Sequence, residues 1–138
     1  MLFRSSAGTR LIHAATLTAT VYLGSLRNAR HLGAWLAGRH ERVAIVAAAS
    51  RGEFSEEDRV CCARVAGELL DAGYTAEDQE TEILVRRWRE APPYAWLRTS
   101  SVSDDLDFIL GHQDDLADAF VMRAGEVIPV AAGVALPA

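Results

Sequence analysis

The segment that most constrains this chain runs from Arg42 to Asp58. Val43–Ala49 is a nearly unbroken apolar run between the charges of Arg39–Arg42 and the turn residues Ser50-Arg51-Gly52. Its length and its β-branched Val43, Ile45 and Val46 predict a strand buried on both faces. Ser55 then opens a Ser-x-x-Asp pattern with Glu56 and Glu57 inside it. A Ser at the N-cap and an acid at N3 can satisfy orphan amides reciprocally, and acids suit the positive end of a helix dipole. One segment thus supplies a buried strand, a glycine-containing turn and a signalled helix start. Ligands of open α/β sheets sit in the crevice beyond the carboxyl ends of the strands, so a site is expected here.

The flanking elements fit the same scheme. Leu2–Arg4 is a short strand candidate, Ser5–Thr9 a small-residue turn and Arg10–Thr16 a short helix. Ala19–Leu23 reads as a strand ending at Gly24-Ser25. In Leu26–Ala37, Leu26, Ala29, Leu32, Trp35 and Leu36 recur near a 3.6-residue period, which predicts an amphipathic helix closed by Gly38. Glu56–Ala72 is the strongest helix, with Val60, Ala63, Val65, Ala66, Leu69 and Leu70 on its apolar face and Gly73 at its end. Alternation of strand and helix argues for a mixed, mostly parallel sheet flanked by helices, a three-layer α/β/α domain. Thr75–Arg89 reads as a charged helix capped by Thr75 and broken by Pro92-Pro93. Asp104–Leu110 and Gln113–Phe120 read as two short helices around Gly111-His112. Glu126–Val130 is a last strand whose Pro129 predicts an edge position.

At 138 residues the chain is expected to form a single domain. A net charge of −5 and no basic run argue against a broad nucleic-acid surface. All 14 basic residues are Arg, so lysine chemistry, from Schiff bases to a P-loop lysine, is excluded. Cys61 and Cys62 are adjacent in a helical pattern and point about 100° apart, against a normal bridge or a metal pair. Free thiols, no apolar run near the ~20 residues that span a bilayer, and no signal-type h-region place the chain in the cytoplasm by expectation.

Candidate chemistry gathers at the strand-to-helix junctions. Gly8-Thr9, Gly24-Ser25 and Gly52 precede helices, where exposed amides can hold an anion, although each also reads as a plain turn. If the strands run parallel, the three turns share one crevice. Glu57 and Asp58 either complete the capping box or help hold Mg²⁺, a hard cation often bound through only one or two carboxylates; both roles are compatible. The four histidines share no metal-ligand spacing. The aspartates between Asp104 and Asp118 read mainly as solvated helix starts and faces. Neither a Gly-x-Ser-x-Gly elbow nor a dinucleotide fingerprint occurs.

Four segments together resemble the 2-phosphosulfolactate phosphatase family. They are SAGTR (Ser6–Arg10), GSLRNAR (Gly24–Arg30), AIVAAASRGEFSEEDRVCCA (Ala44–Ala63) and LDFILGHQDDLADAF (Leu106–Phe120), the last leading to Val127–Pro129. The family pattern has an Asn-Gly-Thr turn, Gly-Ser-x-x-Asn-Ala at a helix start, Gly-x-Phe-Ser-x-Glu-Asp after a strand, and a late Gly-x-x-x-Asp helix before a Val-Pro strand. Departures are Ala7 in place of the Asn, Ala49 in place of a glycine, and Cys61-Cys62-Ala63 in place of Cys-Ala-Gly. The family's N-terminal Asp-x-x-Arg-Ala segment has no counterpart here, so the chain resembles the family's C-terminal portion, a truncated version of its fold.

The resemblance implies a Mg²⁺-dependent phosphatase converting (R)-2-phospho-3-sulfolactate to 3-sulfolactate and phosphate, a step of coenzyme M synthesis or sulfolactate formation. Its small anionic phosphorylated substrate would meet Gly8, Thr9, Arg10, Ser25, Asn28, Arg51 and Gly52, with Glu57 and Asp58 as the catalytic and metal-binding carboxylates. Two other readings are a phosphatase for other small phosphorylated hydroxy acids, and a non-catalytic anion-binding subunit. The latter would pair with a separate N-terminal half, or with its own copy, through exposed sheet edges. Neither nucleic acid nor membrane is expected as a partner.

Overall fold

The computed structural model describes residues 8–47, 56–90, 107–108 and 110–130; the side chains of Thr9, Arg10 and Glu57 lie outside the described set. The elements are α1 (Gly8–Ala15), β1 (Tyr22–Leu23), α2 (Ala29–Leu36), α3 (Glu56–Asp71), α4 (Gln79–Glu90), β2 (Ala119–Arg123) and β3 (Glu126–Val130). Helices and a small sheet make a mixed α/β protein.

The sheet differs from the expectation. Its order is β1-β2-β3, and both pairings are antiparallel, with Tyr22 opposite Val121 and Val121 opposite Ile128. Val43–Ala47, the described part of the expected central strand, pairs with none of the described strands. Gln113–Phe120 is not a helix: residues 115–118 are irregular and Ala119 opens β2. The turn between β2 and β3 was hidden because it is Ala124-Gly125 rather than Asn-Gly. Both residues have positive φ, +48° and +83°, the sign pattern of the type I′ turn whose twist matches a two-residue hairpin. Ala119 and Val121 are buried on one face of β2, the period-2 signal of a half-buried strand. The expected edge position of Pro129 holds, since β3 is the outer strand of the sheet.

Helix positions follow the apolar periodicity more closely. Leu26, Ala29, Leu32, Trp35 and Leu36 are all buried, as are Val60, Ala63, Val65, Ala66 and Leu69 of α3. Leu32, Trp35, Leu36, Val65 and Leu69 join Ala119, Val121 and Val130 in one core cluster, so α2 lies between α3 and the sheet. At Gly33 the two helices come so close that a Cβ there would lie 2.4 Å from Glu68 Cβ. Gly73 ends α3 at φ +94°; its N–H donates to Leu70 O and that of Tyr74 to Leu69 O, the paired bonds of a Schellman cap.

Two helix starts move. α1 (Gly8–Ala15) already includes Gly8-Thr9, which is therefore helical rather than a loop ahead of the helix. α4 is capped by Asp78, not Thr75: its carboxylate accepts from Thr81 N at 2.7 Å and from Thr81 Oγ1 at 3.1 Å. An aspartate is the stronger acceptor for orphan amides. Among the described residues, no helix is long and apolar enough to cross a membrane.

Candidate functional site

The turn Gly24–Asn28 leads from β1 into α2, and one side chain sets its shape. Asn28 is 1% exposed. Its Oδ1 accepts from Ser25 N at 2.8 Å and Ser25 Oγ at 3.2 Å, while Nδ2 donates to Leu23 O at 3.2 Å and Asp118 O at 3.3 Å. A primary amide offers two acceptor and two donor positions, so every one is spent inside the protein. Ser25 is left exposed on the outer side of the turn.

Residues 112–118 are fastened along this turn. Asp114 N donates to Leu26 O and Leu116 N to Arg27 O, both at 3.0 Å. Arg27 grips Asp115 with two parallel bonds of 2.8 Å, although the sequence separation is 88 residues. This hydrogen bond holds the Asp115 carboxyl below its ordinary range and raises Arg27. Two segments singled out by pattern, GSLRNAR and the late GHQDDLAD, are therefore halves of one local structure.

Asp114 and Arg64 complete it. Asp114 sits at φ +55°, a conformation that Asp tolerates better than most residues. Its Oδ1 accepts from Arg30 N at 3.1 Å, filling an orphan amide of the first turn of α2, and its Oδ2 is bound by Arg64 Nη2. The two side chains are only 15% and 19% exposed. Arg64 also bonds Gln113 Oε1 at 3.0 Å and lies over the ring of Trp88, with its Nε buried and unpartnered. Burial, foremost, and the neighbouring Arg30 both push the Arg64 guanidinium down from its ordinary value. Arg30 is exposed and forms no ion pair among the described residues.

The start of α3 adjoins this assembly. Leu26 of the turn and Val60 of α3 form a second buried cluster with Cys61, Trp88 and Leu110 around it. Asp58, in the first turn of α3, is half-buried and already engaged within the protein. Glu56 has one oxygen 3.6 Å from Arg59, while its Oε2 is buried without a hydrogen-bond partner among the described residues. Among the described residues no group of three or more His, Cys, Asp or Glu could enclose a metal ion. Cys61 and Cys62 are free thiols. Burial, the largest effect, with Cys62 and Asp58 adding to it, pushes Cys61 up to about 12; Cys62 is raised for the same first reason.

Of the residues expected from sequence, Ser25 and Asn28 meet in one turn, and Asp58 lies on the helix packed against it. Gly8, Thr9 and Arg10 lie in α1. Arg51 and Gly52 fall outside the described residues, as does the side chain of Glu57. Arg30, Arg64 and Asp114 escaped the sequence reading. An arginine between Ala63 and Val65, on the apolar side of α3, was the available signal for Arg64. Asp114 was merged into an apparently solvated acidic run.

The class defined so far is a mixed α/β protein with an arginine-flanked turn at the start of a helix. The family profile described as 2-phosphosulpholactate phosphatase matches residues 1–133, so the chain belongs to that family. A curated relative from Symbiobacterium thermophilum (strain DSM 24528 / JCM 14929 / IAM 14863 / T), described as "Probable 2-phosphosulfolactate phosphatase", is 31% identical over 133 residues. The match covers 94% of this chain and 57% of the relative. No solved structure matches the chain.

Proposed function

We propose that this chain carries the site of a Mg²⁺-dependent phosphatase that hydrolyses (R)-2-phospho-3-sulfolactate to 3-sulfolactate and phosphate. The observation that carries the reading is the family match over residues 1–133. The geometry supports it through the fastened turn. Ser25 is exposed at the turn, and Arg30, in the first turn of the helix that follows, carries an exposed guanidinium with no ion pair among the described residues. A substrate bearing phosphate and sulfonate needs such cations, and arginine binds such oxyanions through paired N–H donors. Asn28 contributes by holding the turn, since its amide has no donor left for a ligand. Gly8, Thr9, Arg10, Arg51 and Gly52 are assigned to the same anion by the family resemblance.

The chain's carboxylates suit Mg²⁺ of the kind that retains waters and needs only one or two protein ligands. Glu56 Oε2, buried and lacking a hydrogen-bond partner among the described residues, lies on the same helical turn as Asp58 and Glu57 and is a further oxygen for such a cation. When bound there, Mg²⁺ would offset phosphoryl charge and lower the pKa of a coordinated water. Asp58 or Glu57 would accept the proton of the attacking water and return it to the alkoxide oxygen that leaves as 3-sulfolactate, and Arg30 would hold the phosphate oxygens.

Phosphate release from phosphosulfolactate and from an aryl phosphate, each with Mg²⁺ and with EDTA, tests the reading. Release from phosphosulfolactate that EDTA abolishes is expected, with Arg30→Ala raising KM about tenfold, the usual loss for one charged contact of about 1.5 kcal/mol. Release from the aryl phosphate alone would shift the substrate to other small phosphate esters. Release from neither by the folded protein would overturn the assignment.

A further inference from the structure

Asp114 places its carboxylate at the start of α2, next to the turn assigned to an anion. Asn28 stands at the N-cap position of α2, yet its side chain makes no cap bond to the helix. It is spent on Ser25, Leu23 and Asp118 instead. The orphan amide of Arg30 is therefore capped by Asp114 Oδ1 at 3.1 Å, from 84 residues further along the chain. A bare carboxylate here would answer the positive end of the helix dipole, and it would also repel a second anion nearby. It would attract the guanidinium of Arg30 as well, which hangs from the same residue whose amide Asp114 binds. Arg30 nevertheless forms no ion pair among the described residues.

Arg64 of α3 removes the conflict. Its Nη2 binds Asp114 Oδ2, and its Nη1 donates to Gln113 Oε1 at 3.0 Å. The ring of Trp88 on α4 lies 5.4 Å from its guanidinium carbon, within cation–π range. Both members of the ion pair are largely buried, so salt screens their attraction less than it screens exposed Arg30. Burial first, and Arg30 after it, push the Arg64 guanidinium down, so the two arginines lie close enough to interact. We infer that Arg64 is a positioning residue of the proposed site: it neutralises Asp114, so that this carboxylate caps α2 without repelling the substrate or capturing Arg30. The pair then carries no net charge, and Arg30 remains the cation open to an oxyanion. The inference rests on the anion-binding turn proposed above, and not on hydrolysis.

The test is a charge cycle on the 138-residue chain, read by calorimetric binding of inorganic phosphate at low salt. Phosphate release from phosphosulfolactate is measured alongside. Arg64→Gln leaves Asp114 unpaired and should weaken phosphate binding about tenfold, the effect of one partly desolvated charge. Asp114→Asn removes the negative charge and should bind phosphate at least as tightly as the native chain. The double variant has no uncompensated carboxylate and should return to within roughly threefold of native. Arg64→Lys keeps the charge but loses the fork, and should stay closer to native than Arg64→Gln. Raising the salt to about 0.5 M should shrink the Arg64→Gln defect, and in turnover that variant should raise KM while kcat holds. Circular dichroism checks each fold; should Arg64→Gln not fold, the order of Asp114→Asn, the double variant and Arg64→Lys decides. Weaker binding in both single variants with no recovery in the double is the mark of a merely structural pair and would overturn the inference. So would a folded native chain that binds no phosphate. The expected order without phosphate release would support the inference and count against the hydrolytic reading alone.

Discussion

Substituting Gly33 by alanine tests the packing on which the whole arrangement rests. The added Cβ would fall 2.4 Å from Glu68 Cβ, 3.0 Å from Glu68 Cγ and 3.3 Å from Val65 O. Carbon atoms rest at about 3.5–4.0 Å, so the methyl is about 1 Å too close to an atom that the α3 backbone fixes. Rotating the Glu68 side chain cannot relieve this contact, because Cβ does not move with χ1. The helices must separate, which loosens Leu32, Trp35 and Leu36 against Val65 and Leu69. Overpacking typically costs about 1–3 kcal/mol, while replacing a helical glycine returns about 1 kcal/mol. With the clash set by backbone, the net loss should be about 2 kcal/mol. Equilibrium urea unfolding followed by tryptophan fluorescence reads this well, since Trp35 is buried at the same interface. With a slope of about 2 kcal/mol/M, the midpoint should fall by about 1 M at unchanged slope. A midpoint that stays or rises would show that α2 and α3 do not approach as closely as described.

Other perturbations probe the remaining parts. Asp114→Ala strands the largely buried Arg64 guanidinium and an amide of α2; at this partial exposure the loss should be about 2–3 kcal/mol. Asp114→Asn keeps an acceptor and tolerates positive φ, so calorimetry should show less than half that loss; equal losses would refute the role of the carboxylate geometry. Ala124→Asn relieves an alanine held at φ +48° and should raise stability by about 0.5–1 kcal/mol in the same urea assay, whereas a loss would contradict the type I′ assignment. Cys61 favours the neutral thiol in the folded state, with its pKa raised to about 12. Its contribution is fully present below the unfolded value of about 8.5 and is lost as pH rises towards 12. Cys61→Ala should therefore flatten the alkaline fall of the melting temperature, and native Cys61 should react slowly with a disulfide reagent at pH 8. Rapid labelling of the native protein would refute its burial.

Much of the helical layer was legible because its signal is local. The 3.6-residue periodicity of Leu26–Leu36 and Val60–Leu69 identified the residues that became core, and Gly38 and Gly73 marked real ends. The mixed α/β character was legible, but strand alternation was taken to mean parallel neighbours, while among the described strands β2 pairs on both sides as an antiparallel strand. Gln113–Phe120 has helix-friendly composition, yet hydrogen bonds with Leu26, Arg27 and Asn28 hold residues 114–118 out of a helix, and no local pattern encodes that. The candidate site shows the same division. Ser25 and Asn28 were found through their turn, but the meaning of Asn28 changed once its partners were known. Arg64 and Asp114 acquire their roles only through each other, 50 residues apart.

The fastening of Arg27 to Asp115 also has a temporal side. During synthesis, at about 5–20 residues per second, the GSLRN turn leaves the ribosome several seconds before its late clasp has been made. Until residues 113–118 arrive, Asn28 lacks its Asp118 acceptor and β1 lacks β2. The α2–α3 pair can assemble in that interval, because its contacts are closer in sequence, whereas the turn must wait. Closing a loop of this length is slow relative to helix pairing, so the Gly24–Asn28 turn should be among the last features to acquire its shape and the first to be lost when a nascent chain is cut short.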